Sequence, residues 1–449
     1  MKKLYIMVML LMMGVMAEAQ TSVWNGSRRV WTRGEGTESN PYLIESSEQL
    51  AFLSYIVNKG IVTYDLYFQL TTDIDLNGSE DLPWVPIGLG DRWFSDDGCE
   101  RFIDPSYTPV YFSGHFDGDG HSIYNLYVDD GEYVGLFGLV SGTSSSIENV
   151  NIENGYVSGK NSGGIVGKCT GNVDITNCRN HADIIGLEVA GGIIGFGGRT
   201  IRYCSNTGSI TGSTTAGGIA GIQAKEITEC FNTGDVTING QTAGGIIGRK
   251  TSSTCIIRNC YNTGSVSGHA SYGIGGIAGV ISGNGNEIRN CYNVGSVSNN
   301  EGNLGALFGN NVNGTVDNIY YLNTCGGWGP GTEKTAEEMR DPAFVNTLNL
   351  GTDVWGFDEN HVNDGYPILV GDPLSTTETS VALMSVYPNP AKDSFTVEGS
   401  GLLIVTNVLG QKVLEMRIEE RLVVRLPEGI YLLKLTDGNT TTTTKVIVY

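Results

Sequence analysis

Residues 191–221 read GGIIGFGGRTIRYCSNTGSITGSTTAGGIAG, and the last letters begin the pattern again. The block Gly191-Gly192-Ile193-Ile194-Gly195 opens it, Ile201 and Cys204 follow, and Asn206-Thr207-Gly208-Ser209-Ile210 precedes the restart at Gly217-Gly218-Ile219. Outward from this stretch the glycine block recurs at Gly163, Gly244 and Gly275, with looser copies at 134–138 and 305–309. The spacing of roughly 26 to 31 residues is that of a solenoid, propeller or array. Ile and Cys three apart recur as Ile175/Cys178, Ile227/Cys230, Ile257/Cys260 and Ile288/Cys291, and the Asn block recurs at Asn232, Asn262 and Asn293.

Each repeat offers three short β-like pieces separated by corners. Glycine and β-branched residues both disfavour a helix, and no piece is long enough for an amphipathic one. One coil of three short strands, stacked at about 4.8 Å per coil, is a parallel β-helix. The usual crossover preference makes it right-handed. The fold class is therefore all-β. In register, Ile165, Ile193, Ile219, Ile246, Ile277 and Leu307 form one inward aliphatic ladder. Asn206, Asn232, Asn262 and Asn293 align at a corner, where the side chain is expected to bond nearby backbone while the following glycine takes positive φ. Cys178, Cys204, Cys230, Cys260 and Cys291 share one repeat position and are expected to stack as buried thiols, with disulfides between neighbours as the alternative.

The repeats resemble the GLUG repeat of bacterial surface proteins, matched over residues 134–309. That resemblance implies a surface-exposed β-helix and carries no catalytic residues. Upstream, Ser46 and Gln49 have capping-box spacing, and Leu50, Leu53, Ile56 and Val57 share a helical face, so a short helix should plug the open end of the core. Downstream, Thr335 and Glu338 repeat that spacing before Pro342, and this stretch reads as the other cap.

Both termini look like export signals. Met1-Lys2-Lys3, an apolar run over residues 4–16 and Ala17-Glu18-Ala19 describe a cleavable signal peptide. Residues 385–449 switch to short apolar strands at close turn spacing, suggesting a small Ig-like β-sandwich. The opening Tyr387-Pro388-Asn389-Pro390, the turn ending in Gly410-Gln411 and the strand start Gly429-Ile430-Tyr431 resemble the C-terminal sorting domain of type IX secretion substrates. The resemblance implies the type IX machinery as a partner and a location outside a Gram-negative cell or on its outer-membrane surface. The expected organisation is then 1–19 signal peptide, 20–133 N-terminal cap and irregular first coils, 134–325 repeats, 326–370 C-terminal cap, 371–384 linker and 385–449 sorting domain.

A formal charge of −21 repels phosphate backbones and anionic membranes, which argues against nucleic-acid and peripheral lipid binding. No later stretch is apolar enough to insert in a membrane. No C-x-x-C pair or histidine cluster suggests a metal, no cofactor motif occurs, and Asp117-Gly118-Asp119-Gly120 lacks an acidic twelfth loop position, where Val128 stands. Glycoside hydrolysis needs two carboxylates facing one cleft, yet Asp235 meets Ser265 at the matching position of the next coil. None of the five histidines pairs recognisably with a serine or cysteine. No catalytic residues are assigned. The insertion 89–110 supplies the candidate ligand contacts Asp91, Arg92, Trp93, Phe94 and Arg101, because aromatic rings beside charged groups can stack on sugars and bond their hydroxyls. The expectation is a non-catalytic, adhesin-like surface protein contacting glycans or neighbouring cells. Its rivals are a polysaccharide lyase or glycoside hydrolase on the same scaffold and a purely structural coat component.

Overall fold

The computed structural model describes residues 22–448 apart from 91–92, 95–99, 102–109, 253, 311, 371–384, 388–391, 393, 399–400, 408–410, 419–420, 428 and 438–439. The chain forms two compact units, 1–357 and 358–449. The first is a parallel β-solenoid, with 31 strands joined in one sheet. Its register is the one the repeat predicts. Ile165 N–H donates to the Ile193 carbonyl, Ile193 to Ile219, Ile219 to Ile246, Ile246 to Ile277 and Ile277 to Leu307, all at 2.9–3.1 Å. These six side chains are buried in a single core running from Trp24 to Cys325.

The asparagine column is the innermost polar feature, and Asn180 joins it as a fifth member. Asn180 Nδ2 donates to Asn206 Oδ1, Asn206 to Asn232, Asn232 to Asn262 and Asn262 to Asn293, each at 2.8 Å. The second amide hydrogen of each goes to a carbonyl two residues on, at Ala182, Gly208, Gly234, Gly264 and Gly295. All five side chains are fully buried, so each polar group that would be costly in an apolar core is matched instead. The second glycine of each Gly-Gly pair makes the room. A Cβ built on Gly192, Gly218, Gly245 or Gly276 would collide with the Asn side chain across its own coil and with the next coil's carbonyl.

The expected positive φ at Gly208, Gly234, Gly264 and Gly295 is not found. These glycines are required because a Cβ would strike the carbonyl of the preceding coil. The left-handed corner sits elsewhere, at Asn149, Asn177, Tyr203, Glu229, Asn259, Asn290 and Asn318, with φ of 51–57°. Asparagine fills five of the seven, being the non-glycine residue that tolerates this region best. The next residue in the central coils is the cysteine. Cys178, Cys204, Cys230, Cys260 and Cys291 form one buried column of unpaired thiols, each Sγ within 3.1–3.3 Å of the carbonyl two residues before it. Burial pushes the thiols of Cys169, Cys178, Cys230 and Cys291 up, and that of Cys255 up to about 12.

At the N-terminal end the helix Ser47–Asn58 buries Leu50, Leu53 and Val57 in the solenoid core. Ser46 is its N-cap, but the expected reciprocal box does not form. The Ser46 hydroxyl accepts from Arg29 at 2.9 Å, and the Gln49 side chain reaches back to Glu45 N–H at 2.6 Å. The box at Thr335 and Glu338 does form, and Asp341 caps a second helix, Pro342–Asn349, with Pro342 in its first turn. That second helix flanks the coils. Its Phe344, together with Trp355, packs on the outward stack Phe231, Tyr261 and Tyr292, whose rings lie 4.9 and 5.2 Å apart and nearly parallel.

The second unit holds two small antiparallel sheets around one core of Phe395, Val397, Leu403, Val405, Leu433, Leu435 and Val446. Ser385–Tyr387, Phe395–Glu398 and Arg421–Val424 form one sheet, and Lys412–Ile418, Gly401–Asn407, Gly429–Asp437 and Thr440–Val448 the other. This is the sandwich arrangement expected from the strand spacing.

Two consequences can be measured on the solenoid. Asn232→Ala strands the facing amide groups of Asn206 and Asn262 and should destabilise by at least about 2 kcal/mol, read by denaturant unfolding. Gly218→Ala should cost about 1–3 kcal/mol or more through overpacking. Either variant within about 0.5 kcal/mol of the parent would remove the ladder from its central role. The eight described cysteines, all of them buried, should also resist a thiol reagent at pH 8 in the folded protein and react on unfolding, since the reagent must reach the sulfur. Ready labelling of Cys230 in the native state would contradict the buried column.

Candidate functional site

A groove of about 880 Å³ lies at the N-terminal end of the solenoid unit. Three parts of the chain build it: the segment around Trp24 with the helix Ser47–Asn58, the loop 80–89, and the strand end 127–134. Helix side chains hold the loop in place. Ser54 Oγ donates to the Val85 carbonyl at 2.7 Å and Asn58 Nδ2 to the Pro86 carbonyl at 2.9 Å, while Asn58 Oδ1 accepts from Gly88 and Leu89 N–H at 3.0 Å. The floor is aromatic. Trp24 and Trp84 meet edge to face at 5.5 Å, and Trp84 Nε1 donates to the Leu136 carbonyl at 3.1 Å.

Polar groups rim this floor. The Arg28 guanidinium lies over the Tyr55 ring at 4.1 Å. Tyr127 stacks on Tyr156 at 5.4 Å, and partial burial, then the Asp129 and Glu80 carboxylates, push its phenol up. Lys168 Nζ sits over the Tyr133 ring at 4.5 Å and donates to its hydroxyl at 3.0 Å. Glu132 binds Lys160 at 3.0 Å. Half-buried rings with hydroxyl and carboxylate edges on a rigid frame suit a ligand with alternating apolar faces and hydroxyl groups.

Of the residues singled out in the insertion, Asp91 and Arg92 lie outside the described residues. Trp93–Phe94 pairs antiparallel with Glu100–Arg101, and Gly90 bridges Val110 at the root of the insertion. The root borders the groove: Leu89 lines it, and a Cβ on Gly90 would meet the Tyr133 ring. The groove residues escaped the sequence reading because Tyr55, Trp84 and the pair Tyr127 and Tyr133 come from three separate segments with no shared motif. Asp117 serves a turn, its carboxylate accepting from Asp119 N–H and Asn149 Nδ2, both at 2.8 Å. Among the described residues no three His, Cys, Asp or Glu side chains converge as a metal set.

The expectation that no histidine pairs recognisably with a serine or cysteine needs correction at His115, and a threonine joins a second histidine. His115 Nδ1 lies 2.9 Å from Ser146 Oγ, and His181 Nδ1 lies 2.7 Å from Thr207 Oγ1. Each pair is one coil apart, a separation that local motif reading passes over.

In the tail, Pro388, Asn389, Pro390 and Gly410 lie outside the described residues. Tyr387 ends a strand and pairs with Thr396. The turn before Lys412 is closed by Asn407, whose side chain exchanges hydrogen bonds with Gln411 at 3.0 Å. Gly429 opens a strand in which Tyr431 is buried and donates from its hydroxyl to the Pro427 carbonyl at 2.9 Å.

Comparison with known proteins gives three kinds of likeness. The family of secretion system C-terminal sorting domains matches residues 385–449. Among curated proteins, a "Putative Gly-rich membrane protein" of Evansella cellulosilytica is 32% identical over 156 residues, covering 34% of this chain and 15% of that protein. "Halomucin" of Haloquadratum walsbyi is 32% identical over 190 residues, covering 39% of this chain and 2% of that one. The chain thus spans only a small part of these relatives. Among solved structures, a "putative immunoglobulin A1 protease" from Bacteroides ovatus superposes with a TM-score of 0.53 at 26% identity, covering 76% of this chain and 95% of that one. No helix among the described residues is long and apolar enough to cross a membrane. The strand pattern, the Asn407–Gln411 turn and the family match together make residues 385–449 a secretion system C-terminal sorting domain, carried behind a parallel β-solenoid and marking the chain for export.

Proposed function

We propose that this is an adhesin-like protein that leaves the inner membrane by its signal peptide, crosses the outer membrane by the type IX route, and contacts glycans outside the cell through the N-terminal groove. The observation that carries the reading is the groove itself, with aromatic faces and polar edges next to the Gly90–Val110 bridge. A long rigid solenoid holds such a site without spending ordering entropy on each encounter. Extracellular glycans are the polymers an exported protein meets, and stacking on half-buried tyrosine faces such as Tyr55 and Tyr127 is the means by which their apolar ring faces are held. The carboxylates of Glu80, Asp129 and Glu132 favour neutral over anionic sugars.

Two measurements test this. On arrays of neutral and acidic glycans the purified protein should bind neutral members, and Tyr127→Ala or Tyr55→Ala should weaken binding about tenfold or more, equivalent to ~1.4 kcal/mol. Undiminished binding by both variants would move the ligand away from the groove, and absence of binding to every glycan and host protein would leave a structural coat component as the better reading. For the route, removing residues 385–449 should trap the chain in the periplasm. Surface display or release of the shortened chain would refute the sorting assignment.

The protease name given to the Bacteroides ovatus neighbour is compatible with an enzyme, without pointing to the polysaccharide lyase or glycoside hydrolase of the alternative reading. The regular coils offer no facing carboxylate pair at Asp235, whose carboxylate is taken by Ser265 N–H and Oγ.

A further inference from the structure

Away from the groove, the outer face of the early coils carries a column of register partners. Tyr67 lies beside His115, His115 beside Ser146, and Ser146 beside Asp174. Ser146 Oγ and His115 Nδ1 are 2.9 Å apart, within the reach that a nucleophile and its base require. The Tyr67 ring stacks on the imidazole at 4.3 Å with planes 14° apart, so the ring is held against rotation. Both partners are half-buried and reachable from solvent.

We propose that Ser146 and His115 form a nucleophile–base pair that cleaves uncharged carboxylic esters. In the first step Ser146 Oγ bonds to the ester carbonyl carbon while its proton passes to His115 Nδ1. The carbon–alkoxy bond then breaks, and the leaving alcohol takes that proton. Water repeats the sequence on the acyl-serine: its oxygen bonds to the carbonyl carbon, a proton goes to His115, and the carboxylic acid departs as Ser146 recovers its proton.

Charge sets the substrate class. Asp65 and Glu38 act on His115, Asp117 and Glu148 occupy the neighbouring outward positions, and Asp174 is held by Arg199, so an anionic ester meets net repulsion. Partial burial lowers the His115 pKa despite the opposing pull of Asp65 and Glu38, which keeps the ring in its neutral, proton-accepting form. The Thr207–His181 contact lacks these supports. It lies on an exposed corner, its hydroxyl is secondary, and Glu153 stands 3.8 Å from His181 Nε2, beyond hydrogen-bond reach.

The test uses the purified full chain with 4-nitrophenyl acetate and with a 4-nitrophenyl ester bearing a free carboxylate. The acetate should be cleaved faster than the anionic ester, and mass spectrometry of quenched samples should place an acetyl group on Ser146. Ser146→Ala should lose that adduct and, like His115→Asn, lower the rate about a hundredfold. Thr207→Ala should leave both unchanged. Unfolding curves matching the parent would tie the losses to chemistry. An unchanged rate in a folded Ser146→Ala variant, or acetyl groups only elsewhere, would overturn the proposal. The groove reading would stand or fall separately, since its variants touch neither residue.

Discussion

The structure rests on one repeated contact, a side-chain amide that spends a hydrogen on the same amide of the next coil. Asn180 to Asn293 form an unbroken chain of such bonds through a core that is mostly apolar. In that setting an unmatched amide costs far more than a matched one returns, so the contact acts mainly by penalising every other register. A slip of one residue would turn the whole column outward and bring in Thr207, Thr233 and Thr263 or, in the other direction, Ser205, Phe231 and Tyr261. Hydrophobic burial supplies the stabilisation, and the amide column decides how the coils sit on one another.

The glycines obey the same constraint from the opposite wall. The Gly-Gly-Ile and Asn-Thr-Gly blocks look like separate motifs along the chain, yet Gly192 and Asn206 face each other inside one coil, as do Gly218 and Asn232. Their coexistence in every central repeat is one packing solution written twice. The parallel strands, the inward isoleucines and the alignment of asparagine were legible for this reason, because a periodic fold prints its contacts at a periodic spacing. The glycine conformation was not legible. Close approach and positive φ both call for glycine, and only coordinates separate them. The left-handed corner fell instead to Asn177, Asn259 and Asn290, which stand beside the cysteine column.

Where the period weakens, so does the reading. The groove draws Trp24, Tyr55, Trp84, Tyr127 and Tyr133 from segments that share no repeat, and their convergence depends on how the helix Ser47–Asn58 closes the first coils. The insertion 89–110 stood out from the coil pattern, and its root borders this groove. The histidine contacts were hidden for a different reason. His115 and Ser146 are 31 residues apart, as are other residues one coil apart, but the early coils lack the glycine and asparagine marks that would have aligned them.

The division of labour follows from these contacts. Side chains pointing inward are held to a narrow set by the ladder, whereas those pointing outward contact their vertical neighbours and solvent. Column positions such as Asp183, Ser209, Asp235, Ser265 and Ser296 therefore vary in charge at little cost to the fold, because each carboxylate is answered locally, as Asp235 is by Ser265. Chemistry on such a surface can accumulate wherever two coils bring complementary groups into register, without a dedicated cleft. The same regularity limits it: neighbours along a column are spaced by the sheet at about 4.8 Å, so a functional set on the regular coils must be built from groups one coil apart. The irregular N-terminal coils escape that limit at the groove, which gathers several segments, while the serine–histidine contact keeps to it, its two groups one coil apart.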